Sequence, residues 1–395
     1  MKVLLVSSSS GSRGGGELYL RNLAGGLLSL GLDCKLLMAS HPQMDELAER
    51  CQTDGIEVCR FEYTNTYHRR LRSIGAALDG KQVRSAIAEF KSHTPDLIHL
   101  NQQNVEDALD LMQAAAGVDI PVVTTVHQPS SMAGLKALAG RTRDWVARRV
   151  FRRASIPAIA VSTESGRTLS QFLGRELITD DSRIAQDSVV RVFNGVPQPE
   201  HAGRATLRAD WGLGDREIAL GCLGRIEHEK NPLFVARLLS ELPEHVHVVW
   251  IGDGRLRVEL EAEISRLNLG NRFHILGWQD NAARLLAGMD LFLLPSLYEG
   301  LPLALLEAMA VGLPVIASDI PGTRDAFVDS ESGLFCPVND LEAWRSACDT
   351  LCSSEQQREE MGAAAVKRYT ELFSLTAMAE GTLRVYQHLL ATQSS

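Results

Sequence analysis

Short apolar runs rich in Val, Ile and Leu alternate with segments of helical period along almost the whole chain. A short run with no polar face suits a strand buried on both sides. The helical segment after it is the crossover that a parallel pair requires. Strands are predicted at 2–6, 34–39, 97–100, 122–125, 158–161 and 189–193, then at 218–222, 246–251, 273–276, 291–294 and 315–317. The rhythm stops in a polar, Pro- and Gly-rich stretch at 197–203 and restarts near residue 215. This is the pattern of α/β domains with parallel sheets joined by a linker.

A chain of 395 residues is too long for one core and implies two or three domains. The repeated rhythm selects two Rossmann-like domains. Charge supports the division. The net charge is −9. Residues 1–197 hold 23 Lys and Arg against 21 Asp and Glu, leaving 17 against 28 for the rest, so the halves carry +2 and −11. A negative total argues against a dedicated nucleic-acid binder. Seven scattered cysteines with no CxxC fit reduced thiols better than a disulfide frame or zinc site. Met1 and Lys2 lead straight into a short apolar run, too short for a signal peptide. The most apolar stretch, 291–318, is broken by Glu299, Glu307, prolines and glycines and does not read as a membrane span. The expected location is cytoplasmic, or peripheral on the inner face of a membrane.

After the first predicted strand comes a Gly-rich loop with Gly11, Gly14, Gly15 and Gly16, then a helix from about Glu17. Such a loop lets the backbone approach a ligand, and the helix start offers free N–H groups to an anion. The glycine spacing is not GxGxxG, and no acid ends the second strand, so a dinucleotide site is not expected. A flexible turn is the alternative reading.

Four features of the second half converge. Gly224 and Arg225, with Lys230 five residues on, follow a strand, where parallel sheets bind ligands; two cations suit a diphosphate. Gly252-Asp253-Gly254 ends the next strand and reads equally as a turn or a site. Trp278 follows the strand after that, either beside a nucleobase or as a hydrophobic plug. Finally, Glu299-Gly300-Leu301-Pro302 leads into an apolar helix carrying Glu307, with Pro302 as its first residue. From Pro302 to Glu307 the helix rises ~7.5 Å, so Glu299 and Glu307 could hold different parts of one ligand. The helix start turns its N–H groups and positive dipole end toward phosphate.

These motifs, in this order, resemble the retaining GT-B glycosyltransferases of family 4, also called glycosyl transferases group 1. The resemblance spans nearly the whole chain. It rests on Gly14-Gly15-Gly16-Glu17, Thr125-Val126-His127, Val161-Ser162, Asn194-Gly195-Val196, Gly224-Arg225 with Lys230, Gly252-Asp253-Gly254, the Glu299–Glu307 pair and Ala317 through Gly322. It implies two facing Rossmann-like domains, 1–198 on the acceptor side and 199–375 binding a nucleotide-sugar donor, with a terminal helix at about 376–395 crossing back to the first. Arg225 and Lys230 would hold the diphosphate, Glu299 the donor sugar and Glu307 the ribose. His127 would face the sugar across the cleft. Gly15, Gly16, Asn194, Gly224, Gly254, Trp278, Gly300 and Leu301 would line the donor site, and Glu17, His99 and Asn101 the acceptor side. Pro197 and Asn101 depart from the family pattern, which often has Asp and His there.

The implied reaction moves a sugar from a nucleotide donor, UDP favoured and GDP allowed, to a hydroxyl of a glycan, lipid-linked or small-molecule acceptor, with retention. The setting would be polysaccharide or glycoconjugate synthesis. No acidic pair suits Mg²⁺, so no metal and no cofactor are expected; the nucleotide sugar is a substrate. A sugar-nucleotide epimerase of the same fold and a non-catalytic partner of another transferase stay as alternatives. One feature lies outside the motifs. Lys136, Arg141, Arg143, Arg148, Arg149, Arg152 and Arg153 fall within 18 residues, opposed only by Asp144, with Trp145 and Phe151 among them. This reads as a solvated helix face, or as a basic amphipathic helix in peripheral contact with anionic lipid.

Overall fold

The computed structural model describes residues 1–8, 15–179, 184–185, 187–200, 203–279 and 281–393. It divides into two compact units, Met1–Gly195 with Leu375–Ser395, and Val196–Ser374.

The first unit is built on a parallel sheet of eight strands: β1 (Lys2–Ser7), β2 (Asp33–Ala39), β3 (Glu57–Phe61), β4 (Leu97–Asn104), β5 (Val122–Gln128), β6 (Ala158–Ala160), β7 (Glu176–Ile178) and β8 (Ser188–Arg191), in the order β3-β2-β1-β4-β5-β6-β8-β7. Successive residues of β1 feed opposite faces. Val3 and Leu5 enter one core, Leu4 and Val6 the other, as strand alternation requires. The first core is closed by the helix Gly15–Ser29, through Tyr19, Leu20 and Leu23, and by the terminal helix Leu375–Gln393, through Met378, Ala379, Val385 and Tyr386. The two helices pack tightly at Gly26, where a Cβ would stand 2.9 Å from that of Ala379.

The second unit carries a parallel sheet of six strands: β9 (Ile218–Leu223), β10 (Val246–Ile251), β11 (Phe273–Gly277), β12 (Leu291–Leu294), β13 (Val315–Ser318) and β14 (Gly333–Cys336), ordered β11-β10-β9-β12-β13-β14. Leu220, Val248, Leu291, Leu293 and Ile316 lie in its core with Phe234 and Trp344 from the flanking helices.

Three strands were not predicted: β3, β7 and β14. Each lies at a sheet edge. Edge strands are only half covered, so they lack the continuous apolar run: Glu57 is exposed, and Val58, Cys59 and Arg60 are only partly buried. The helix after Pro302 starts one residue later than predicted, at Leu303, with Pro302 as its cap. All seven cysteines are unpaired. No described helix is long and apolar enough to cross a membrane.

Candidate active site

In each sheet the chain first adds strands to one side and then to the other. The loops following the two strands at that switch diverge, leaving a crevice at the carboxyl edge where ligands bind in doubly wound sheets. In the second unit the switch lies between β9 and β12, in the first between β1 and β4.

The predicted residues of the second unit gather at its switch. The loop after β9 runs from Gly224 through a short helical turn, His228–Lys230; the loop after β12 runs from Pro295 to Pro302. Leu297 N–H donates to the Glu229 carbonyl at 2.9 Å, and the Asn231 side chain to the Pro295 carbonyl at 3.3 Å. The Lys230 ammonium meets Glu299 Oε1 at 2.5 Å, and Ser296 Oγ donates to that same oxygen at 2.7 Å. The stem of Lys230 crosses Gly224, whose φ of +145° only glycine adopts easily. Arg225 is 72% exposed and pairs with Glu229 at 2.9 Å. Lys230 is therefore fixed at the crevice, while Arg225 stands at its rim.

The helix Leu303–Val311 begins beside this pair with no side-chain cap and no acid in its first turn. Its first N–H groups and positive dipole end are uncompensated by its own sequence. Glu307, one turn in, is half-buried, and its carboxylate makes no hydrogen bond to a described residue. Removal from water pushes its carboxyl up to about 7. Leu301 is buried and Gly300 partly so. Gly322, at the helix after β13, lies so close to the Glu299 and Gly300 carbonyls that any Cβ would overlap them.

Gly254 and Gly252 are closely packed. The space a Cβ would need is filled by the Ile226 and Gly224 backbone, and Ile226 N–H donates to the Asp253 carbonyl at 3.0 Å. Trp278 follows the edge strand β11, about 10 Å across the sheet from β9. At 45% exposure it is no hydrophobic plug.

The switch of the first unit is organised by Asn101. Its amide N–H donates to the Gly16 carbonyl at 3.2 Å, and its Oδ1 meets His127 Nε2 at 2.7 Å. A carbonyl only accepts, so the amide orientation is fixed and His127 Nε2 must be the donor. Burial pushes the His127 imidazole down to about 4, so it is neutral at pH 7, with the Nδ1 lone pair free of that bond. Tyr19 packs edge-on against the ring at 4.7 Å. Asn101 is 1% exposed and both ends of its amide are used, one by His127 and one by the helix start at Gly16. Glu17 is buried, and its Oε2, Gln103 Nε2 and Asp107 Oδ1 have no hydrogen-bond partner among the described residues. Burial pushes the Asp107 carboxyl up to about 6. Gly15 begins the helix and is exposed; Gly16 lies under the Gln103 amide. Gly11 and Gly14 lie outside the described residues.

His99 lies two residues before Asn101 on β4. It is fully buried, with Nδ1 2.6 Å from Tyr386 OH and Nε2 2.8 Å from Thr125 Oγ1. It ties the terminal helix to the sheet. Asn194 is buried just past β8, three strands beyond β4 in the first unit. Sequence reasoning missed Ser296, Glu229 and Gln103. Ser296 sits three residues before Glu299, a spacing that hinted at its bond; the other two carry no local signal. Among the described residues no group of three or more His, Cys, Asp or Glu is arranged to hold a metal ion.

Known proteins resemble this chain in sequence and in fold. Residues 203–368 match the model of glycosyl transferases group 1, and residues 14–178 that of the glycosyl transferase 4-like domain. The chain is 34% identical over 288 residues to the UDP-Gal:alpha-D-GlcNAc-diphosphoundecaprenol alpha-1,3-galactosyltransferase of Escherichia coli, covering 70% of this chain and 71% of that protein. It is 28% identical over 285 residues to a D-inositol 3-phosphate glycosyltransferase of Rhodococcus erythropolis, covering 68% of this chain and 62% of that protein. In fold it is similar to HepE of Anabaena in complex with UDP, with a TM-score of 0.78 over 98% of this chain and all of that one, at 21% identity. The chain therefore belongs to the glycosyl transferases group 1 family, family 4 of the nucleotide-sugar glycosyltransferases, and has the GT-B fold.

Proposed function

We propose that this protein transfers a hexose from a UDP-sugar to a hydroxyl of a glycan or lipid-linked acceptor, with retention at the anomeric carbon. The observation that carries the donor half is the Lys230–Glu299 pair beside the uncapped start of the helix Leu303–Val311. A cation and a helix dipole lie where a diphosphate would gather charge as it leaves. Arg225 adds a bidentate donor at the rim. Glu299 would accept hydrogen bonds from sugar hydroxyls, and Glu307, unpartnered and one turn along the helix, from the ribose. Two facts support UDP and a lipid-linked acceptor: HepE of Anabaena is complexed with UDP, and the Escherichia coli relative is named for a diphosphoundecaprenol acceptor. Such a reaction would run in the cytoplasm, at the inner face of a membrane when the acceptor is lipid-linked.

The bond from the anomeric carbon to the diphosphate oxygen breaks as the acceptor oxygen approaches from the same face. The departing phosphate oxygen takes the acceptor proton, so no protein nucleophile is required. His127, neutral and a donor through Nε2, is a hydrogen-bonding group rather than a base in this reading. Glu17, Gln103 and Asp107 offer unpartnered polar atoms at the switch of the first unit, suited to acceptor hydroxyls. The test is calorimetric titration with UDP, GDP and ADP, followed by a donor and acceptor screen with products identified by mass spectrometry. Tight UDP binding with sugar transfer is expected. Binding of none of the three nucleotides would reject the donor site.

A further inference from the structure

Among the described residues of the first unit, six large apolar side chains are exposed: Met1, Leu71, Leu78, Leu135, Leu138 and Trp145. All but Met1 lie on two neighbouring segments. Leu135, Leu138 and Trp145 belong to the loop 131–139 and the helix Gly140–Ala154 that follows it; Leu138 is 92% exposed. Leu71 precedes and Leu78 ends the short helix Arg72–Leu78 packed beside it, where Ser73 and Arg143 meet on one carboxylate, Glu106.

The loop is held in a fixed shape. The buried Asp144 carboxylate accepts the N–H of Met132 at 2.7 Å and of Ala133 at 3.0 Å. Ala137 N–H returns to the Met132 carbonyl at 2.9 Å, and Lys136 and Ala139 take positive φ. The leucines are thus presented by a built turn. The charges are sorted in the same way. Asp144 faces inward, and Arg143 is taken up by Glu106, whereas Lys136, Arg141, Arg148, Arg149, Arg152 and Arg153 are exposed. Positions 141, 145, 149 and 152 follow helical spacing and form one stripe on the helix, with Leu135 and Leu138 on the turn before it. No exposed acid lies between residues 131 and 155.

We propose that this surface docks on an anionic lipid bilayer, with Leu135, Leu138 and Trp145 entering the interface and the lysine and arginines meeting lipid phosphates. A bare basic face would serve any polyanion. The projecting leucines and tryptophan, set among cations with no acid, select a surface that is apolar beneath an anionic layer. Docking goes beyond the transfer reaction and does not depend on which acceptor is used.

The test is co-sedimentation of the full chain with phosphatidylcholine vesicles, with and without phosphatidylglycerol, in parallel with UDP titration of the same samples. Binding only to the anionic vesicles, weakened by salt, is expected, together with a blue shift of tryptophan emission that Trp145→Phe removes. Arg149→Glu with Arg152→Glu should weaken partitioning at least ~10-fold. Leu135→Ser with Leu138→Ser should weaken it without altering salt dependence. Melting curves and UDP affinity should match the parent in both variants, which separates a failed surface from a failed donor site. Equal sedimentation with neutral and anionic vesicles, or wild-type partitioning of the charge-reversed variant, would overturn the proposal. So would salt-sensitive binding to polyglutamate with none to vesicles, which would assign the surface to an acidic protein.

Discussion

The ammonium of Lys230 lies 2.5 Å from Oε1 of Glu299, although 69 residues separate them in sequence. The pair exists because β9 and β12 are neighbours at the point where the sheet of the second unit changes direction. Both side chains are largely enclosed, so each would be an unpaired charge without the other.

Lys230→Ala should therefore lower kcat/KM by about 10²–10³-fold, the range for losing one preorganised group that meets developing charge. Glu299→Gln should lower it comparably. The double variant should be no worse than the weaker single one, since the two act as a unit. Steady-state kinetics with melting curves as the control check this; near-normal turnover in either single variant would reject the assignment.

Glu307 makes a pH prediction. Its carboxyl is raised to about 7 in the folded chain, against an ordinary value of 4.5. Between those values the folded state holds a proton that the unfolded state has lost, so stability falls as pH rises through about 7. Glu307→Gln should melt higher than the parent at pH 8, by about 2 kcal/mol after allowing for partial solvation, and equal to it at pH 4. If ribose hydroxyls bind the ionised form, UDP affinity of the parent should also gain a pH dependence near 7 that the variant lacks.

The Asn101–His127 contact is testable by nitrogen resonances of the imidazole. At neutral pH Nε2 should be protonated and Nδ1 bare, with no titration until about pH 4. Asn101→Asp should raise that midpoint by about 1–3 units, because a carboxylate then faces the ring. A histidine in the parent that titrates near 6.5 would contradict the assigned hydrogen bond.

Tyr386→Phe leaves His99 Nδ1 buried without its 2.6 Å partner. Urea unfolding should show a loss of about 1–3 kcal/mol, the cost of one unsatisfied buried polar atom. KM for the donor should stay unchanged, since both residues lie in the core of the first unit. A change in KM with unaltered stability would return His99 to the substrate site.

How much could be read without coordinates follows a physical line. Central strands such as β1, β9 and β12 were legible because burial on both faces demands an apolar run that no other element shares. Edge strands β3, β7 and β14 were not, since one open edge relaxes that demand. The motif at Glu299 and Glu307 was legible as spacing along one loop and helix. The side-chain partners of His99 and Asn101 were not legible, because a polar residue at a strand end looks the same whether it meets a ligand or another side chain.

The sequence by itself determined the parallel α/β class, the break near residue 200 and the loops that carry polar chemistry, because these follow from local periodicity and turn residues. Only the tertiary structure decided which of those loops meet. Strand order placed Lys230 against Glu299, set Asn101 between Gly16 and His127, and buried His99 under Tyr386. It also turned Arg143 and Asp144 inward and left Leu138 and Trp145 outside. Each outcome is a contact between segments distant in sequence, set by the packing of strands and helices rather than by any residue's own neighbours.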